Sequence, residues 1–144
     1  MENLIKVLFV QKVDDKFETE SLWCIPKGEN YVIDNIPFIA ERVSLGDTIK
    51  VEFDSEDNAN YFDDFVEVSG NTTIRIYPFD KLIIEEIRKR LFDLGCQSEV
   101  FLERKIIAVN VPFNVDFRPI KGVLDEGEKI GSWTYEESCL AHKI

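Results

Sequence analysis

The stretch TTIRIYPFDKLIIEEIRKRLFDLG, residues 72–95, decides how the chain folds. Up to Tyr77, Ile74 and Ile76 alternate with Thr73, Arg75 and Tyr77, which is the period of two of a strand with one apolar face. From Asp80 the period changes. Ile83, Ile84, Ile87, Leu91 and Leu94 recur at spacings of an amphipathic helix. Asp80 has the short carboxylate that caps a helix start, and Gly95 stands where a left-handed residue ends one.

Downstream, Glu99 to Leu102 and Ile106 to Val111 read as two strands around the polar turn Glu103-Arg104-Lys105. Asn114 is the expected cap of a second helix carrying Phe117, Ile120, Val123 and Leu124. Pro119 confines itself to the first turn of that helix, and Gly127 is its expected end. The helices are expected near 80–94 and 116–126. Ser132 to Cys139 supplies a last strand with Trp133 and Tyr135 on one face. Residues 72–139 therefore spell strand, helix, strand, strand, helix, strand. That is the split βαβ, ferredoxin-like order, in which two helices cover one face of an antiparallel sheet. The opposite face is left for the N-terminal strands or for a partner.

Upstream the rhythm is that of strands alone. Leu4 to Val10 is apolar on both sides, Asp14-Asp15-Lys16 is a turn, and Thr19 to Ile25 is a second strand punctuated by Pro26-Lys27-Gly28. Tyr31-Val32-Ile33 leads to Asp34-Asn35-Ile36-Pro37-Phe38, and Ile49, Val51 and Phe53 alternate with polar residues after the turn at Gly46-Asp47. Short strands at this spacing predict a small barrel or a curled sheet. Asp54 to Asp64 reads as the least structured stretch, a loop or irregular edge. The fold class is thus α+β: a β-rich lobe over residues 1–70 packed on a ferredoxin-like βαββαβ lobe over 71–144.

Composition sets the function classes. The chain has 144 residues, and 28 Asp and Glu against 17 Lys and Arg leave a net charge of −11. Such a field repels nucleic acid and anionic membranes and attracts basic surfaces. The amino terminus carries no signal-peptide pattern and no apolar run approaches a bilayer span, so a cytoplasmic protein is expected. Cys24, Cys96 and Cys139 are too scattered for a disulfide framework or a zinc site, and no metal or cofactor is expected. His142, the one histidine, lies next to the carboxyl end, where chains commonly fray. No nucleophile elbow, phosphate loop or metalloprotease motif occurs, so no catalytic residues are assigned.

One segment stands out. Between Val51 and Val68 there is no Lys or Arg, while Glu52, Asp54, Glu56, Asp57, Asp63, Asp64 and Glu67 are interleaved with Tyr61, Phe62 and Phe65. Carboxylates beside aromatic anchors suit an interface with a basic protein. The same pattern suits an acidic loop whose rings tuck into the core. The candidate partner-binding set is Asp54, Glu56, Asp57, Tyr61, Asp63, Asp64 and Phe65. Arg75, in mid-strand, either pairs with an acid such as Asp47 or Glu137 or presents its guanidinium to a ligand.

Several segments in order, Glu20-Ser21-Leu22-Trp23, Asp34-Asn35-Ile36-Pro37-Phe38, Val43-Ser44-Leu45-Gly46-Asp47 and Ser69-Gly70-Asn71-Thr72-Thr73-Ile74-Arg75, resemble the bacterial domain-of-unknown-function family 4265. Leu94-Gly95-Cys96, Ala108-Val109-Asn110-Val111-Pro112 and Gly131-Ser132-Trp133-Thr134-Tyr135-Glu136-Glu137 extend the likeness over nearly the whole chain. The resemblance implies kinship with small stand-alone proteins of the kind found as neutralising partners of secreted toxins, and it implies no activity. With the acidity and the missing catalytic kit, the expectation is an immunity protein or antitoxin that covers the active or substrate-binding surface of a basic toxin, plausibly a nuclease. The alternatives are a small-molecule-binding regulatory module and an enzyme with a site assembled from dispersed residues.

Overall fold

The computed structural model describes residues 3–143. The class is α+β, with nine strands in two sheets and two α-helices among those residues. The chain divides into two compact units, the first ending at Ser69 and the second beginning at Gly70.

The N-terminal unit contains β1 (Ile5–Val13), β2 (Lys16–Lys27), β3 (Asn30–Ile33), β4 (Thr48–Asp54) and β5 (Ala59–Glu67), each antiparallel to the next. The β1–β2 turn has φ of 48° at Asp14 and 65° at Asp15. Two successive left-handed residues suit the right-handed twist of a hairpin, and Asp tolerates that conformation better than most side chains. The sheet curls until β1 meets β5 in parallel at Val7–Asn60 and Leu8–Tyr61. Inside the curl, Val7, Phe9, Leu22, Cys24, Ile33 and Ile49 are buried together with Ala40 and Val43 of the β3–β4 connection.

Of the two readings of residues 54–64, a loop or an irregular edge, the loop is confined to the turn between Asp54 and Ala59. These residues form the β4–β5 hairpin, and only the short turn between the two strands departs from the ladder, with Asn58 at φ 52°. Two register shifts hide the strand from a period-two reading. Val51 faces Phe62 while Lys50 faces Asp64, and Ile49 faces Phe65 while Thr48 faces Glu67, so Asp63 and Val66 are extra residues in β5. Each bulge resets which side chains share a face, placing Phe62 and Phe65 on the same side, opposite Val51 and Ile49, although they are three apart.

The C-terminal unit contains β6 (Thr72–Pro78), α1 (Ile84–Asp93), β7 (Gln97–Phe101), β8 (Ile106–Val111), α2 (Phe117–Lys129) and β9 (Trp133–Cys139). Its strands lie in the order β7-β8-β6-β9 and every neighbouring pair is antiparallel. Ile74, Ile76, Ile107, Val109 and Val111 of the sheet form one core with Ile84, Ile87 and Leu91 of α1 and Phe117, Ile120 and Leu124 of α2. Asp80 caps a 3-10 turn, Lys81–Ile83, that leads into α1, accepting from the Leu82 N–H at 2.9 Å. Gly95 follows α1 at φ 101°.

Two details of α2 differ from expectation. Its cap is Asp116 and not Asn114: the Asp116 carboxylate accepts from the Arg118 N–H, while Asn114 lies in the preceding turn. Gly127 does not end the helix, which runs on to Lys129 before Gly131 at φ 79°. Gly127 is there for space. A Cβ on it would sit 1.9 Å from Cζ2 of the buried Trp133, whose indole N–H donates to the Leu124 carbonyl at 3.1 Å.

Candidate functional site

The hairpin tip gathers the carboxylates into a defined shape. The Asp54 carboxylate closes the turn by accepting from the Glu56 N–H at 2.9 Å and the Asp57 N–H at 3.3 Å. Tyr61 donates its hydroxyl to Asp57 at 2.8 Å, and that bond is the main reason its ionisation is pushed up. Asp54 is thereby held by the backbone and Asp57 by the ring. Beside them is an open cleft of about 500 Å³ lined by Glu52, Phe53, Asp54, Ser55, Glu56 and Tyr61. Three carboxylates and two aromatic rings share it, with no cation. Farther along β5, Asp63 and Asp64 are exposed, Asp64 accepts from the Phe65 N–H, and the Phe65 ring meets Phe62 edge-on at 5.1 Å. The proposed partner-binding residues thus fall in two places on one hairpin: Asp54, Glu56, Asp57 and Tyr61 at the tip, and Asp63, Asp64 and Phe65 toward its other end.

The β3–β4 connection, residues 34–47, has almost no regular structure and is held by side chains. Glu20 is buried, and its carboxylate accepts from three successive N–H groups: Phe38 at 2.7 Å, Ile39 at 2.9 Å and Ala40 at 2.8 Å. Asn35 accepts from the Trp23 N–H at 2.6 Å. Asp47 is buried and accepts from the Ser44 N–H at 2.9 Å and the Ser69 N–H at 2.8 Å. Burying a charge is costly unless it is fully bonded, and both carboxylates meet that condition through backbone donors. Sequence reasoning missed Glu20. The available signal was parity: Glu20 shares the inward face of β2 with Leu22 and Cys24, so an acid there requires donors.

These same segments lie inside the match to a known family. The sequence model described as "Domain of unknown function (DUF4265)" matches residues 20–135. The chain belongs to the DUF4265 family. No curated protein matches it. A solved structure described as a "novel crystal structure of a hypothetical protein" from Neisseria gonorrhoeae is similar, with a TM-score of 0.83, 24% identity and 99% of each chain covered. That likeness shows the fold.

Within the DUF4265 match, Arg75 is a buried side chain of β6 that reaches Glu136, the neighbour of the expected Glu137. Its Nη1 lies 3.5 Å from the Glu136 carboxylate, and the Tyr77 hydroxyl donates to the same oxygen at 2.6 Å. The reason is register. Arg75 faces Glu136 across the β6–β9 ladder, and Glu137, one residue on, points to the other sheet face and pairs with Lys121 of α2 at 3.3 Å. Burial, then the bond to Glu136, drives the Tyr77 hydroxyl pKa upward. Asp47 serves its own loop, as described above.

Two of the three thiols of this DUF4265 chain are packed away, and Cys139 is half-buried. Burial pushes the Cys24 and Cys96 thiols up to about 12, with Asp34 adding to the effect at Cys24. Thiols that keep their protons at neutral pH are poor nucleophiles. His142 is not frayed. Its ring stacks on Phe117 at 5.6 Å, its Nδ1 lies 2.6 Å from the Thr72 hydroxyl and its Nε2 lies 2.9 Å from the Pro112 carbonyl. Thr72 also accepts from the Ala141 and His142 N–H groups, so one buried hydroxyl ties down the end of the chain. No group of three or more His, Cys, Asp or Glu among the described residues is placed to hold a metal ion. Among them, no helix is long and apolar enough to cross a membrane.

Proposed function

We propose that this protein is an acidic binding protein of the immunity or antitoxin kind, which docks on a basic protein toxin and covers the surface that toxin needs. The observation that carries the reading is the hairpin-tip cleft, where Glu52, Asp54 and Glu56 stand beside Phe53 and Tyr61 with no cation. Phe53 is 57% exposed, which is a large apolar ring to leave in water among charges. Carboxylates speed the encounter with a cationic surface, and rings hold the docked state by burying area and by stacking on Lys or Arg. A nuclease fits as target, because its phosphate-binding groove is positive. The reduced, buried thiols of Cys24 and Cys96 fit a protein of a reducing compartment, the cytoplasm.

The same reading takes the C-terminal unit as a split βαβ, ferredoxin-like scaffold, supported by its antiparallel order β7-β8-β6-β9 with helices after β6 and β8. It takes the N-terminal sheet as a small barrel, supported by the two β1–β5 pairs. The experiment is affinity capture from the native host with wild type and with a Glu52→Gln, Asp54→Asn, Glu56→Gln variant. The wild type is expected to retain a basic protein that the equally stable variant loses. Retention of the same proteins by both would overturn the reading.

A further inference from the structure

A second cleft, of about 390 Å³, lies at the other end of β5 and has a different chemistry. It is lined by Phe9, Val10, Gln11, Ala40, Glu41, Arg42, Val43, Phe62 and Phe65. Its size is within the range of small-ligand pockets. The apolar side is preformed, since Phe9 and Phe62 are stacked at 5.0 Å, Phe65 meets Phe62 edge-on, and Ala40 and Val43 are buried in the core. The polar side comes from the segment that the Glu20 carboxylate fixes in place through Phe38, Ile39 and Ala40.

Arg42 is the unusual member. It sits at φ 67°, a conformation that costs free energy in any residue with a side chain, and it is exposed with no hydrogen bond or ion pair among the described residues. Gln11 stands beside it. Its carbonyl oxygen accepts from the Glu41 N–H at 3.3 Å, which leaves the two N–H donors of its amide for another acceptor. A guanidinium fork and an amide donor on the rim of a phenylalanine-floored cleft are complementary to a planar carboxylate attached to an apolar body. The exposed Glu41 carboxylate on the same rim disfavours a dianion such as a phosphate monoester.

We propose that this cleft binds a small amphipathic monocarboxylate, with its aromatic or branched apolar body on Phe9, Phe62 and Phe65 and its carboxylate on Arg42 and Gln11. The site is independent of the acidic tip: it uses none of Glu52, Asp54 or Glu56, and its test needs no protein partner.

The probe is 3-phenylpropanoate, titrated into the isotope-labelled full chain and followed by backbone amide shifts, with 3-phenylpropanamide as the uncharged control. Saturable shifts are expected at residues 10–12, 40–43 and 62–65, with the amide weaker by about tenfold or more, the worth of one charge-assisted bond. Arg42→Gln is expected to weaken the acid by a similar factor while leaving the amide unchanged, and Arg42→Lys to restore part of the loss. Because Arg42 is exposed and touches no partner, these variants fold as the wild type does. Equal binding of acid and amide would reduce the site to an apolar hole and overturn the proposal. So would shifts confined to other residues, no saturable shift, or an Arg42→Gln variant that binds the acid as well as wild type.

Discussion

Replacing Glu20 by Gln keeps the side chain's shape and removes its charge, so it isolates what the buried carboxylate does for the 34–47 connection. In the wild type one carboxylate oxygen accepts from Ile39 and Ala40 and the other from Phe38. Glutamine has one acceptor oxygen. Placed toward Ile39 and Ala40, it turns its amide nitrogen on the Phe38 N–H, donor against donor. Leaving the Phe38 donor unmet costs about 1–3 kcal/mol, making the two remaining bonds neutral costs about 1 kcal/mol each, and cheaper desolvation of the amide offsets part of this. The expected net loss is about 3 kcal/mol, a large share of the stability of a domain this size. Urea denaturation gives the total, and amide hydrogen exchange gives the place. Exchange at Phe38, Ile39 and Ala40 should accelerate more than at Val109 or Ile107 in the other unit. A variant within about 0.5 kcal/mol of wild type, with those three amides still protected, would refute the claim that Glu20 organises this segment.

The two helical glycines of α2 should respond oppositely to alanine. Nothing lies within 4 Å of a Cβ on Gly122, so Gly122→Ala should stabilise by up to about 1 kcal/mol, whereas Gly127→Ala drives into Trp133 and should cost about 2 kcal/mol or more by urea denaturation. Equal stability of the two variants would remove the packing role assigned to Gly127. The thiols give a pH signature. Cys24 and Cys96 hold their protons in the native state up to about 12 from an ordinary 9.0, so their contribution is complete below about 9 and is lost as pH rises toward about 12. The urea midpoint of wild type should therefore fall more steeply across that window than that of a Cys24→Ala, Cys96→Ala variant, after allowing for the variant's lower starting stability. Parallel slopes would contradict the burial argument.

Most of the C-terminal unit was legible because its elements are locally consistent. The change of period at Asp80, from two to helical, survives in the structure as β6 followed by the capped turn and α1. What failed there was choice among neighbours. Asn114 and Asp116 are both good caps, and only the Asp116 carboxylate reaching the Arg118 N–H distinguishes them; Gly127 and Gly131 both suit a helix end, and there the packing of Trp133 on Gly127 decides. In the N-terminal unit the bulges at Asp63 and Val66 broke the alternation that would have revealed β5. The sequence singled out Asp54, Glu56, Asp57 and Tyr61 by charge and aromatic content, and all four lie at the hairpin tip. Arg42 had no local signal, because its significance comes from β1 and β5 side chains distant in sequence. Arg75 was visible as a charge in mid-strand, but choosing Glu136 over Glu137 required the register of β9.

Docking through the acidic tip is tested by the association rate of the captured partner with wild type and with the Glu52→Gln, Asp54→Asn, Glu56→Gln variant over a range of ionic strength, with Tyr61→Ala alongside. If the acidic tip is the docking surface, the variant associates more slowly and its rate loses most of its salt dependence. Tyr61→Ala, stripped of a ring and of the bond to Asp57, should instead dissociate faster, with a loss on the order of 2 kcal/mol in affinity. An equally stable charge variant with the wild-type rate and salt slope would contradict the account and move the interface off the hairpin.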